Sequence, residues 1–540
     1  MGGDRYLFVN GAVFGVPGAT AVATSGRTIT AVGADRQLED RVGADTEVID
    51  LRGRLITPGF QDAHIHPATA GLELTRCALY DCRDAAEAAA VIDDHARRNP
   101  DVPWVLGGGW AMDWYPGGTP TIEELDRLVP DRPAYLRNRD GHGAWVNSAA
   151  LAAAGITATT PDPVDGRIER APDGSPQGTL QEGAMDLVGP VMPPVGVADY
   201  LVGLEAALAY LLPLGITAWQ DAAVDPSIHA AYLELASQGR LPVDVVGALW
   251  WERDRGLEQI DELVERRRDA VPGYRATSVK IMLDGVAENF TAAMLEPYLD
   301  ASGTPSERRG IDFVEPDELV AAVTALDGHG FQVHFHAIGD RAVRHALDAI
   351  EAARLANGAG DRRHHIAHIQ VIHPDDLPRF AALGAVANAQ PFWACSDGYQ
   401  TDLTIPFLGS ERAAWQYPFR SLLRAGARLA MGSDWSVSTP NPMLEMEVAV
   451  TRREPQDRLA EPFYPEECIG LDDAMLGFTA GSAFVNHRDD SSGSIAVGFA
   501  ADLVVLDRNP FEADAGPAGE AVVDMTMIGG AIVHAREASG

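Results

Sequence analysis

Between residues 59 and 488 compact apolar runs alternate with Ala/Leu-rich helical segments, and this alternation restricts the fold more than any other feature. Eight strand candidates can be counted along it: Gln61 to His66, Ile216 to Asp221, Val243 to Leu249, Ser278 to Asp284, Gln332 to His336, His364 to His368, Ala385 to Ala389 and Arg428 to Asp434. Strands that alternate with helices belong in a parallel sheet or barrel. Eight such units predict an α/β fold, a (β/α)8 TIM barrel.

The chain ends read differently. Short strand-like runs, Tyr6 to Val9, Ala21 to Thr24, Thr28 to Val32 and Glu47 to Leu51, fill the N-terminal part, and the style returns over 494 to 534. Neither end is long enough for a comfortable core alone. We therefore expect residues 1–58 and 489–540 to share one small β-sandwich, with the barrel over 59–488. An insertion at about 67–214, rich in Gly, Pro and Trp, separates the first two barrel strands. Loops at the carboxyl ends of barrel strands carry the active site, so this insertion is expected to cover it.

Composition narrows the class. Hydrophobic residues make up 46% of the 540 and charged ones 22%, which excludes a disordered or collagen-like chain. The balance of 78 acidic to 42 basic residues, a formal net charge of -36, argues against nucleic acid and anionic membranes as partners. A small-molecule substrate is expected instead. Cysteines at 77, 82, 395 and 468 lack the spacing of a zinc or disulfide motif. No basic flank with an apolar stretch opens the chain and no run of about 18 apolar residues occurs, so a cytoplasmic protein is expected. A homodimer is the default assembly.

Of the 42 basic residues only Lys280 is a lysine. Arginine has evidently served wherever a surface cation was needed, so position 280 is a candidate for a site that requires an amine. It lies on a predicted barrel strand between apolar residues, where an unpaired charge is costly. Reaction with CO2 would convert the amine to a carbamate, an anionic oxygen ligand able to bridge two metal ions. A guanidinium cannot do this.

Six of the fifteen histidines keep it company at the same rim. His64 and His66 are two apart, so a strand projects both imidazoles to one face. His334 and His336 end the fifth strand, His365 and His368 the sixth, and Gly432-Ser433-Asp434-Trp435 the eighth. Imidazoles and carboxylates converging on one point suit Zn²⁺ or a similar divalent ion.

With these residues in view, the sequence resembles the amidohydrolase superfamily, in the branch that contains N-substituted formamide deformylase and the YtcJ-like proteins. The marks are Pro58-Gly-Phe-Gln-Asp-Ala-His64-Ile-His66, Gly141-His142-Gly-Ala-Trp-Val-Asn147-Ser148, Val279-Lys280 with Asp284-Gly285, His336-Ala-Ile-Gly-Asp340, His368-Ile-Gln370, Gly432-Ser-Asp434-Trp435 and Ala501-Asp502-Leu-Val. One departure is Ala367, where the branch usually has Glu.

The resemblance implies a site of two divalent metal ions, zinc foremost. His64 and His66 would bind the more buried ion, Lys280 as its CO2-derived carbamate would bridge, and His336 and His368 would bind the more exposed ion. Asp434 would touch the buried metal and shuttle the proton. His334 and His365 are competitors for the neighbouring ligand positions, and His334, on the same side as His336 but deeper, is expected to support a ligand from behind. The implied reaction is hydrolysis of a C–N bond in an N-substituted amide, formamide, carbamate or cyclic amide by a metal-bound hydroxide. His142 is a catalytic helper in this reading. Trp110, Trp114, Tyr115, Trp393, Tyr399 and Trp435, in or near rim segments, are candidates for an aromatic substrate pocket, with Asp284 as a further substrate contact.

Other chemistries find less support. The only lysine does not follow a glycine as a P-loop requires, and HExxH and GxSxG are absent. A Schiff-base aldolase or lyase would use Lys280 but leave the rim histidines unexplained. A one-metal deaminase of the same superfamily would not need the carbamate. A scaffold that had lost its chemistry would be expected to have lost ligands, and all six ligand positions are filled.

Overall fold

The computed structural model describes residues 5–536. Its centre is an eight-stranded parallel sheet: β1 Phe60–Ile65, β2 Ile216–Val224, β3 Asp244–Trp250, β4 Tyr274–Met282, β5 Gln332–Ala337, β6 His365–His368, β7 Val386–Ala389 and β8 Arg428–Met431. The strands pair in chain order, each beside the next, as (β/α)8 winding requires. All eight overlap the runs expected from the sequence. The edges β1 and β8 meet through backbone hydrogen bonds just beyond β8: Asp434 N–H donates to the His64 carbonyl at 2.7 Å and His66 N–H to the Trp435 carbonyl at 3.0 Å.

That closure explains why β8 stops three residues before its expected end. After Met431 the chain turns across the barrel mouth towards β1, and a Cβ at Gly432 would stand 2.4 Å from the His64 nitrogen. The buried Asp62 carboxylate completes the seam, accepting from the His64 N–H at 3.0 Å and from the Ser433 hydroxyl at 2.6 Å. Strand β4 likewise ends at Met282, before its expected end at Asp284.

Barrel interiors are usually filled by branched apolar side chains. Here Gln220, Lys280, His334, His365 and Asn388 are all buried on barrel strands. Register places Lys280 beside His334 and His334 beside His365. A polar layer of this kind must be fully hydrogen-bonded to be tolerated.

At the chain ends, Arg5–Val9, Ala21–Ser25, Thr28–Gly33 and Thr46–Asp50 form one sheet. A second combines Ala12–Val13 and Leu55–Pro58 with Leu503–Leu506, Val523–Ile528 and Ala531–Ala535. Phe8, Val22 and Ile29 from the first pack with Ile56, Leu503 and Met527 from the second. Both termini thus contribute to one apolar core.

The insertion is a folded unit with a six-stranded sheet of its own, which the sequence reading did not anticipate. Its strands are short and one is glycine-rich, leaving little period-two signal. The glycines have a packing reason: a Cβ at Gly107 would lie 2.1 Å from the Cys77 carbonyl oxygen. Asn147 is structural, its side chain accepting from Ala134 and Ala150 N–H and donating to the Val129 and Arg132 carbonyls. The insertion returns to β2 through Val197–Leu211, a helix that buries Leu204, Ala207 and Leu211. By length and composition this helix, extended to Leu214, is apolar enough to cross a membrane.

Candidate metal centre

The site is built where four strand ends converge. β1 carries His64 and turns into His66, β5 carries His336, β6 ends on His368, and the turn after β8 presents Asp434. Asp434 Oδ1 lies 3.3 Å from His64 Nε2 and 3.0 Å from His66 Nε2, and its Oδ2 lies 3.9 Å from His368 Nδ1. The His64 and His368 rings are 4.7 Å apart, and those of His368 and His336 4.4 Å. His368 and Asp434 both hold a positive φ, 74° and 55°. Such conformations persist only where the surroundings enforce them. A side-chain oxygen of Gln390 accepts from the His368 N–H, and the seam to β1 holds Asp434.

Three buried atoms in this group, His64 Nε2, His368 Nδ1 and Asp434 Oδ1, have no hydrogen-bond partner. Leaving such atoms unpaired costs about 1–3 kcal/mol each. Ligand atoms of His64, His66 and Asp434 lie within 4.8 Å of one another, close enough to share one cation. The residues therefore fit a divalent metal with nitrogen and oxygen ligands.

Electrostatics agree. Burial pulls the imidazoles of His64, His336 and His368 well below the ordinary histidine range, leaving neutral rings with lone pairs to offer. Burial would raise the Asp434 carboxyl, but contact with His66 and the proximity of His368 hold it below its ordinary value. Lys280 is 2% exposed, and burial pushes its amine down to about 7 against a smaller opposing pull from Asp434. Among the described residues no carboxylate stands within 4.0 Å of its Nζ. An amine in this state is nucleophilic at neutral pH.

His142 reaches the centre from the insertion, its ring 5.3 Å from that of His336. Its Nδ1 is 2.9 Å from the Glu182 carboxylate, which also accepts from the Thr291 hydroxyl at 2.6 Å. Burial alone would lower the His142 pKa, but Glu182 overcomes it and raises the ring to about 9. Glu182 was not singled out from sequence. Its role depends on a pairing across the insertion sheet that spacing does not reveal.

His334 and His365 lie deeper than the ligand atoms. His334 Nε2 meets His64 Nδ1 at 2.8 Å and its Nδ1 meets Gln220 at 2.7 Å, while His365 Nε2 meets the same Gln220 oxygen at 2.9 Å. Gln220 and Asn388, which join them, carried no sequence signal.

The aromatic candidates divide. Trp393 stacks on His368 with ring centroids 5.1 Å apart and stays partly exposed at the site. Trp435 stacks on Tyr210, and the Arg139 guanidinium lies 5.4 Å over Trp114. The Tyr399 hydroxyl accepts from the Met112 N–H, fastening the insertion to the barrel. Trp110 corrects the expected pocket. It is fully buried in the insertion core with Tyr115 and Trp145, its indole N–H given to the Leu136 carbonyl, so it cannot meet a substrate. Asp284 is the second correction. Fully buried, its carboxylate accepts backbone N–H groups of Ala293, Ile338 and Gly339 and ties the loops after β4 and β5.

Residues 47–534 match the Amidohydrolase family. Putative amidohydrolase YtcJ of Bacillus subtilis is 31% identical over 528 residues, 96% of each chain. The N-substituted formamide deformylase of Arthrobacter pascens is 28% identical over 535 residues, again 96% of each chain. An uncharacterized metal-dependent hydrolase from Pyrococcus furiosus superposes with a TM-score of 0.70 at 26% identity, over 94% of this chain and all of that one. Fold, site chemistry and relatives agree, and the chain belongs to the amidohydrolase family.

Proposed function

We propose that the protein is a binuclear metal-dependent hydrolase that cleaves the C–N bond of an N-substituted amide, formamide, carbamate or cyclic amide. The observation that carries this reading is the set of buried, unpartnered ligand atoms on His64, His368 and Asp434, set beside a buried lysine. His64, His66 and Asp434 would hold one ion and His336 and His368 the other. Lys280, after its amine adds to CO2 and releases a proton, would bridge them as a carbamate. Divalent ions in such a site supply a water nucleophile at neutral pH and polarise a carbonyl.

The remaining steps belong to the chain. Asp434 takes a proton from the attacking water and passes it to the leaving nitrogen. His142, protonated through Glu182, donates a hydrogen bond to the carbonyl oxygen as negative charge develops there. Trp393 offers an aromatic face to the N-substituent. The deformylase relative supports amides as the first substrates to screen.

Metal content of protein prepared with bicarbonate and without chelator tests the proposal. About two ions per chain, with turnover of an N-substituted formamide or amide, is the expected result. One ion would favour a mononuclear deaminase, and none in folded protein would defeat the reading. The depressed Lys280 amine also suits a Schiff base. Borohydride trapping of a substrate adduct on Lys280 would favour that alternative.

A further inference from the structure

The polar layer inside the barrel has a direction. Gln332 donates its amide N–H groups to the backbone carbonyls of Arg363 and Val485, at 2.8 and 2.7 Å. Those carbonyls can only accept, so Gln332 Oε1 must face Gln220, and Gln220 Nε2 donates to it at 3.1 Å. A second donation from Gln220 Nε2, to Asn486 at 2.8 Å, fits the same orientation. Gln220 Oε1 is then left to accept, and both His334 Nδ1 and His365 Nε2 point at it.

An independent anchor enters from the other side. The His368 backbone N–H donates to Gln390 Oε1 at 2.7 Å, Gln390 Nε2 to Asn388 Oδ1 at 3.1 Å, and Asn388 Nδ2 to the Ala63 carbonyl at 2.9 Å. The same Asn388 Nδ2 lies 3.1 Å from His365 Nδ1, which must accept. His365 is thereby a neutral ring with its proton on Nε2, as the Gln220 side requires. The two anchors agree.

His334 is fully buried, and neither of its ring nitrogens faces a carboxylate. A neutral ring with its proton on Nδ1 has an acceptor at Nε2, and the group it meets at 2.8 Å is His64 Nδ1. His64 must therefore carry its proton on Nδ1. Its Nε2 lone pair faces Asp434 Oδ1 at 3.3 Å, two acceptors opposed with no proton between them.

We infer that Gln220 and His334 are positioning residues: the chain Gln332–Gln220–His334–His64 fixes the tautomer of His64 so that Nε2 is committed as a metal ligand before any ion arrives. This deepens the proposed binuclear site and rests on it only for the identity of the ion. The network accounts for a barrel interior filled with amides and imidazoles, since an apolar layer would leave His64 free to present either tautomer.

The test has two readouts. In the metal-free full-length protein with ¹⁵N-labelled histidine, the His64 signals, identified by their loss in His64→Gln, should show protonated Nδ1 and unprotonated Nε2. Zinc affinity by chelator competition should fall about 10- to 100-fold in Gln220→Leu and in His334→Leu. His334→Gln, whose amide oxygen can accept from His64, should recover most of that loss. A merely structural role would not predict the rescue. A His64 ring protonated on Nε2 in the wild type would overturn the inference, as would wild-type zinc affinity in both leucine variants. If the leucine variants fail to fold, the wild-type tautomer and His334→Gln still decide. The tautomer is read without metal or substrate, so its outcome is independent of whether the protein hydrolyses amides.

Discussion

His142 Nδ1 stands 2.9 Å from a Glu182 carboxylate oxygen, joining two insertion residues 40 positions apart beside the His336 ring. Through this pair the insertion contributes two side chains to the site.

The pair predicts that activity is lost at alkaline pH. Glu182 raises His142 to about 9 against the effect of burial, so the protonated ring is retained below that value and lost above it. A raised histidine stabilises the fold fully below its unfolded pKa near 6.5, and the contribution disappears as pH rises through about 9. We expect kcat/KM to fall above about pH 9, and Glu182→Gln to move that limb down by about one unit or more. An alkaline limb unmoved in the variant would show that His142 protonation is not used.

Lys280 predicts the opposite slope in metal-free protein. Its amine is pushed down to about 7 in the fold, so between about 7 and 10.5 the unfolded chain binds more protons and stability rises with pH. Lys280→Met removes this term, worth on the order of 5 kcal/mol across the window. Denaturant unfolding at pH 6 and pH 9.5 should show the variant gaining most at the lower pH. It should also lose metal-dependent hydrolysis.

Gly432→Ala should open the seam between β1 and β8. The new methyl would meet the His64 nitrogen at 2.4 Å, a backbone atom that cannot give way. Overpacking of this kind costs about 1–3 kcal/mol, read as a lowered denaturant midpoint. Zinc binding should weaken with it, because the same seam positions Asp434.

Trp110 and Trp393 separate packing from recognition. Trp110→Ala should cost about 3–5 kcal/mol, because the side chain fills the insertion core, and thermal melting would detect it. Trp393→Ala, at a partly exposed side chain that packs against the core from the site, should lower melting less than Trp110→Ala while raising KM for aromatic or bulky N-substituents. A KM effect confined to Trp110 would reverse these assignments.

The chemistry of the site was legible because ligands must sit at strand ends. His64 with His66, His336 and His368 each close a recognisable apolar run, and the solitary lysine stands out by composition alone. Asp284 shows the limit. Its position beside the β4 end suggested substrate contact, but three backbone N–H groups claim its carboxylate, and such loop closure leaves no periodic trace. Trp110 misled for a related reason, since a tryptophan in a Gly-rich segment reads equally well as rim or core.

What the linear chain determined was local: eight strand–helix units, strand-rich ends, and the residue types at each barrel rim, all expressed through near-neighbour periodicity. What tertiary structure decided was pairing over distance. The β1–β8 seam, the His142–Glu182 contact and the interior chain from Gln332 to His64 join residues far apart in sequence. Their meaning lies in hydrogen-bond direction and burial, which arise only when the barrel closes and water is excluded.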